Sequence, residues 1–217
     1  MRFDKKYKHI IWDWNGTIIN DVELCVDVGN NLFRKKNIPQ ISVEKYRSIF
    51  TIPVKEYYVA AGFDFSAHSF ESIGKEWMDE YEDRKYECSL YNDLISVMER
   101  FIELNIPQSV LSAYKQDRLE AMIKKLGLGK YFSHIIGLDN IYAAGKLHLA
   151  RNLINIIGNG RLETLMIGDT VHDYEVAREI GSDCVLIAGG HQSKEKLLET
   201  GARVYNSLGE FHRSELV

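Results

Sequence analysis

HIIWDWNGTIIND, residues 9–21, is the stretch on which the fold turns. A short apolar run, His9 to Trp12, ends on a carboxylate at Asp13. Gly16 and Thr17 then permit a tight exit and hydrogen bonding within the loop. An apolar run bounded by turn residues matches a strand buried on both faces, the kind that builds parallel sheets. A carboxylate at the carboxyl end of such a strand would border the crevice where α/β sheets bind ligands. Two residues later stands Asn15, an amide where a second acid would complete a carboxylate pair.

Downstream of about residue 90, strands and helices alternate. Asn92 and Asp93 can cap a helix whose apolar face reads Leu94, Val97, Met98, Phe101 and Leu104. Pro107 opens the strand-like PQSVLS, and the helical KQDRLEAMIKKL stops at Gly127. HIIG (134–137) and TLMIGD are strand candidates on either side of the helical KLHLARNLINII, and EVAREI leads through Gly181 to the strand CVLIAGG. This rhythm predicts an α/β fold with a Rossmann-like parallel sheet covered on both faces.

Residues 20–87 break the rhythm, because no strand pattern occurs there. Asn20 or Asp21 can cap a helix carrying Cys25, Val28, Leu32 and Phe33. Pro53 suits a first helical turn, and Gly62 closes that helix. Phe70, Ile73, Trp77 and Tyr81 form a stripe at helical spacing, which reads as helix packing rather than a ligand cage. An all-helical cap domain, residues 18–88, is therefore expected to interrupt an α/β core made of residues 1–17 and 89–217.

Composition narrows the function. The 217 residues are 45% hydrophobic with a net charge of −4, so a sizeable core is expected and a basic field for nucleic acid or anionic lipid is not. The basic N-terminal octapeptide imitates the start of a signal peptide, but the apolar run behind it is short and Asp13 interrupts it. No stretch reaches the length of a membrane span. Cys25, Cys88 and Cys184 are scattered, with no CxxC pair, which points to reduced thiols in a soluble cytoplasmic protein.

Asp169 ends the strand LMIG as Asp13 ends HIIW, and Ser112 follows SVL. The three side chains should converge, with Asp173 close behind. Clustered, partly desolvated carboxylates are costly unless a cation joins them, and an all-oxygen set suits Mg²⁺. His172 alone is a poor argument for zinc.

DWNGT (13–17), LSA (111–113), Lys146 and GDTVHD (168–173) together resemble, in order and separation, the four motifs of the haloacid dehalogenase superfamily. The helical insert lies where that superfamily's C1 cap lies. KLGLGKYFSHIIGLDN and LETGARVYNSL are similar to the phosphoglycolate-phosphatase-like branch. The resemblance implies an Mg²⁺-dependent phosphatase acting on a small phosphorylated metabolite. Asp13 would be the nucleophile, forming an aspartyl-phosphate. Asp13, the Asn15 backbone carbonyl, Asp169 and Asp173 would hold the metal. Ser112, Ala113 and Thr17 would serve the phosphate site, and Lys146 would neutralise charge beside Asp13. His172 receives no catalytic role. A monomer or a homodimer is compatible with this reading.

Phosphatases of this superfamily carry an Asp at the position of Asn15, where it protonates the leaving alcohol and later activates water. An amide does neither. Three alternatives to a slow phosphatase follow. One is a phosphonoacetaldehyde-type C–P hydrolase, which would use a cap lysine such as Lys55 as a Schiff base. Another is a haloacid dehalogenase, disfavoured by the retained metal motif. The last is a non-catalytic phosphate-binding protein. Arg47, Thr51 and Lys55, in YRSIFTIPVKEYY, fall in what resembles the cap specificity loop; an Arg and a Lys there would favour an anionic substrate.

Overall fold

The computed structural model describes residues 3–66, 68–158 and 163–217; Met1 and Arg2 of the basic octapeptide lie outside the described residues. A short helix α1 (Phe3–Lys6) precedes β1 (His9–Trp12), which the turn at Gly16 connects to β2 (Ile19–Asn20). Four helices follow: α2 (Val22–Lys35), α3 (Val43–Ile49), α4 (Val54–Ala60) and α5 (Phe70–Arg84). β3 (Ser89–Leu90) pairs antiparallel with β2, so the helical segment leaves and rejoins the core through one two-stranded ribbon.

The remainder alternates as the sequence predicts: α6 (Leu94–Glu103), β4 (Gln108–Lys115), α7 (Gln116–Lys125), β5 (Phe132–Leu138), α8 (Leu147–Ile157), β6 (Thr164–Gly168), α9 (Val171–Ile180) and β7 (Asp183–Ile187). Three elements beyond CVLIAGG complete the chain: α10 (Lys194–Leu198), β8 (Arg203–Tyr205) and α11 (Leu208–Glu215). The six long strands form one sheet in the order β5-β4-β1-β6-β7-β8, every pair parallel. β1 sits between β4 and β6, where the winding direction reverses, which is the place α/β sheets use for ligands.

Alternation explains why these strands are apolar throughout. Ile10 and Trp12 face the larger core with Val110, Leu165 and Ile167, whereas Ile11, Leu111 and Met166 face a second cluster with Ala150 and Leu153 of α8 and Val176 and Ala177 of α9. Helix α2 runs antiparallel to α5, because Asp27, Asn31 and Lys35 meet Arg84, Glu80 and Glu76 in turn. Phe33, Tyr58 and Phe63 close the cap's own aromatic core.

Two local expectations change. Asp93 occupies the N-cap of α6 with φ +63°, yet its carboxylate accepts no capping bond. Asp21 stands at the N-cap of α2, but its carboxylate turns back to the β1 loop instead. Cys25, Cys88 and Cys184 are free thiols, and no helix among the described residues is long and apolar enough to cross a membrane.

Ile11 is fully buried between sheet and helices, so Ile11→Ala should cost about 2–5 kcal/mol of unfolding free energy. Ile156, on the outer face of α8, is 58% exposed, and Ile156→Lys should stay within about 0.5 kcal/mol. Urea unfolding of both variants checks the layer assignment; equal losses would contradict it.

Candidate active site

Register brings the carboxylates together. Trp12 pairs with Val110 of β4 and Ile167 of β6, so Asp13 emerges beside Leu111 and Gly168, with Ser112 and Asp169 one residue further. The Asp13 amide still donates to the Ile167 carbonyl at 2.9 Å, so the strand holds its side chain at the sheet edge. Oxygens of Asp13, Asp169 and Asp173 lie within 4.8 Å of one another, and all three residues are buried.

One ammonium enters this cluster. Lys146, at the start of α8 and 1% exposed, contacts Asp13, reaches Asp173 at 2.7 Å and donates to the Leu111 carbonyl at 3.0 Å. His172 accepts from the Lys146 backbone amide at 3.3 Å and so helps to seat the lysine's backbone. Asp173 fixes the start of α9 by a capping box: Thr170 accepts from its amide, and its carboxylate accepts from the Thr170 amide at 3.0 Å.

Asp169 is wedged in place. Thr17 donates to one oxygen at 2.7 Å and the His191 amide to the other at 2.6 Å. A Cβ on Gly190 would lie 2.1 Å from an Asp169 oxygen, and one on Gly16, whose φ is +74°, would lie 2.4 Å away. Only glycine fits at either position, so both loops close on this carboxylate. Thr17, expected at the phosphate site, supports Asp169 here and does not line the cavity.

Three carboxylates against one ammonium leave the site electrostatically deficient. Burial pushes the Asp13 carboxyl well up, and Lys146 only partly opposes the rise. Burial also pushes Asp169 up to about 6. Burial works upward on Asp173 too, but Lys146 outweighs it and holds that carboxyl below its ordinary value. A hard divalent cation would supply the missing positive charge, and the all-oxygen donors fit Mg²⁺.

Ser112 lines the cavity above the strands, as does Ala113. The Ser112 hydroxyl accepts from the Tyr114 amide at 3.0 Å and keeps its own proton free for a ligand.

Asn15 answers for its own identity. Its side-chain NH₂ donates to Asp21 at 2.6 Å and to the Tyr81 hydroxyl at 3.0 Å. Asp21 is fully buried and also accepts from the Gly16 amide and the Tyr81 hydroxyl. His191 faces it at 3.3 Å and is held at its other ring nitrogen by Tyr46, 2.8 Å away. Burial pulls the imidazole down, but the Asp21 charge, with Asp169 and Asp13, pushes it up to about 9. Asp21, Cys25 and His191 lie close enough to resemble a second metal cluster. Their polar atoms are already engaged with one another and with their neighbours, so they form a hydrogen-bond network.

Sequence reasoning missed Asp21 beyond its cap position and missed His191 altogether. The only signal was the Gly189-Gly190-His191 run directly after a strand. It also placed Arg47 and Lys55 in the binding site, and neither lines the cavity. Arg47 donates to the Gly190 and Gly189 carbonyls, at 2.9 Å each, and Lys55 lies over the rings of Phe65 and Phe70. The stripe Phe70, Trp77 and Tyr81 packs as expected, but it also forms part of the cavity wall.

Comparison with known proteins identifies the family. The model of the haloacid dehalogenase-like hydrolases matches residues 10–187. A phosphoglycolate phosphatase of Rhodobacter capsulatus is 24% identical over 191 residues, 84% of this chain and 85% of that protein. Pyrophosphatase PpaX of Listeria monocytogenes serotype 4b is 24% identical over 186 residues, 80% of this chain and 79% of the relative. Among solved structures, a haloacid dehalogenase-like family hydrolase of Streptococcus pneumoniae superposes with a TM-score of 0.77 at 20% identity, covering 91% of this chain and 92% of the other. CbbY of Rhodobacter sphaeroides, in complex with phosphate, gives 0.72 at 18%, covering 94% and 96%. At such identities the structural likeness shows the fold alone.

A carboxyl whose folded pKa is raised stabilises the fold below its unfolded value and loses that contribution as pH rises through the folded value. The metal-free protein should therefore lose stability as pH rises through about 6, where Asp169 ionises. Millimolar MgCl₂ should raise the melting temperature clearly above that pH and hardly at all below it. A shift of equal size on both sides in thermal unfolding scans would contradict the assignment.

Proposed function

Since the chain belongs to the haloacid dehalogenase-like hydrolases, we propose that it is an Mg²⁺-dependent phosphomonoester hydrolase of a small phosphorylated metabolite, working through an aspartyl-phosphate on Asp13. One observation carries this: a strand-end carboxylate ion-paired to a buried lysine, with two further carboxylates within 4.8 Å. The phosphatase names of the curated relatives point the same way.

An Asp13 oxygen attacks phosphorus, an O–P bond forms, and the ester O–P bond breaks with its electron pair leaving on the alcohol oxygen. Water then adds to phosphorus, releasing inorganic phosphate and freeing Asp13. Lys146 offsets the charge that accumulates beside Asp13, and the Ser112 hydroxyl donates to a phosphate oxygen. Mg²⁺, held by Asp13, Asp169, Asp173 and the Asn15 carbonyl, would neutralise phosphate charge and align nucleophile and phosphorus. The helices of α2 to α5 form the cap (residues 18–88) that covers this centre, and the enzyme works in the cytoplasm as a monomer or homodimer. The C–P hydrolase alternative loses its ground, because Lys55 does not reach the cavity.

Purified protein with MgCl₂ should release phosphate from p-nitrophenyl phosphate, and Asp13→Asn should abolish the release. Retained turnover in that variant would sink the nucleophile assignment. Asn15→Asp should help little by itself, because it opposes two buried carboxyls across the 2.6 Å contact with Asp21, and like charges so close share one proton. The exchange Asn15→Asp with Asp21→Asn keeps one acid and one amide in the network. It should raise kcat on poor leaving groups by about two orders of magnitude or more, the range of general acid help. Steady-state kinetics of both variants check this; a larger gain in the single variant would refute the pairing argument.

A further inference from the structure

The cavity of about 140 Å³ that holds the carboxylates is walled by aromatic side chains, most of them from the cap. Phe50, Tyr58, Phe70, Trp77 and Tyr142 line it, together with Tyr81, on which Trp77 stacks at 5.0 Å and 15°. Three of the cavity's tyrosine hydroxyls are engaged with the protein. Tyr46 serves His191, Tyr81 serves Asp21, and Tyr114 donates to Glu82. Burial pushes the Tyr57 and Tyr58 hydroxyls up, as apolar surroundings do. Ring surface makes up most of what these side chains offer a ligand.

Positive charge is spent in the same way. Among the described residues, the lysines and arginines lining the cavity are Lys115, paired with Asp117 at 2.7 Å, and Lys146, paired with Asp13 and Asp173. Arg47 is committed to the Gly189 and Gly190 carbonyls. A carboxylate on the leaving group, as in phosphoglycolate, would have to draw Lys115 from Asp117 to find a counter-charge and would otherwise be desolvated, which is expensive.

Asn15 provides a second, independent line. Its NH₂ is committed to Asp21 and Tyr81, and an amide has no proton to give a departing alkoxide. The leaving oxygen must therefore tolerate departing as an anion. A phenol does so, with a pKa of about 10; a simple hydroxyl resembles water, at about 15.7.

We propose that the substrate is an aryl phosphate: a phosphate monoester of a phenol-type hydroxyl whose ring is held by the cap wall. This rests on the hydrolase reading above. Asp13 takes the phosphoryl group and the phenolate leaves with the electron pair, gaining its proton from water on release. Water's oxygen then ends on phosphorus as inorganic phosphate forms.

The test uses the wild-type protein with MgCl₂ and compares phenyl phosphate, 2-phosphoglycolate and acetyl phosphate, a small substrate with a good leaving group and no ring. Phenyl phosphate should exceed 2-phosphoglycolate in kcat/KM by about 100-fold or more, the scale set by the missing acid. It should also exceed acetyl phosphate through a lower KM. Trp77→Ala should raise KM for phenyl phosphate while leaving inhibition by inorganic phosphate unchanged. Calorimetric binding of phenylphosphonate and phosphonoacetate to the wild-type protein is measured alongside and needs no turnover. Tighter binding of phenylphosphonate supports the ring site even if no ester is hydrolysed, in which case the hydrolase reading alone fails. A preference for 2-phosphoglycolate, equal KM for acetyl and phenyl phosphate, or tighter binding of phosphonoacetate overturns the proposal while leaving a phosphatase intact.

Discussion

The structure depends on an imbalance: three buried carboxylates gathered around a single ammonium at the ends of adjacent parallel strands. A fold that only sought stability would not assemble it, since like charges in a dry site cost several kcal/mol unless compensated. The surrounding elements hold the arrangement against that repulsion. β1 and β6 fix Asp13 and Asp169 through ladder register, α9 fixes Asp173 by capping, and α8 delivers Lys146. Gly16 and Gly190 are required because Asp169 must be approached by bare backbone. The deficit of positive charge that remains is what the proposed divalent cation would fill.

The amide at position 15 follows from a second buried acid. Asp21 takes donors from Asn15, Gly16 and Tyr81 and faces a cationic His191, so all its oxygens are served. An acid at 15 would place a second charge in a network built for one. The same amide that offers no titratable proton thus satisfies a buried carboxylate.

Much of this was legible from the chain. Apolar runs closed by Asp13 and Asp169 gave away the parallel sheet, because strands buried on both faces need unbroken hydrophobicity and a strand end offers rigidity. Glycines at 127 and 181 marked helix ends, and both adopt the left-handed backbone. The Asp21–His191 contact was hidden, since it joins residues from opposite ends of the chain and neither carries a periodic signal. Arg47 misled for a related reason. Its residue type fits an anion site, but its direction is set by the Gly189 and Gly190 carbonyls, whose place depends on the whole β7 edge. The stripe on α5 was read as packing, and helical spacing cannot show that one side of a packed stripe is left open to a cavity.

The loop after β7 links these two halves. The His191 amide fixes Asp169 in the core, whereas its imidazole meets Asp21 and Tyr46 of the cap side. Arg47 holds the two preceding carbonyls, and Gln192 and Lys196 both donate to the Phe50 carbonyl of the cap. Core and cap are thus fastened to the same short backbone segment, within hydrogen-bond length of a carboxylate suited to the metal. A movement of α3 away from the core would break the Arg47 and Tyr46 contacts and loosen the segment that positions Asp169. The contacts that hold the aromatic wall against the core are for that reason also the contacts that position Asp169.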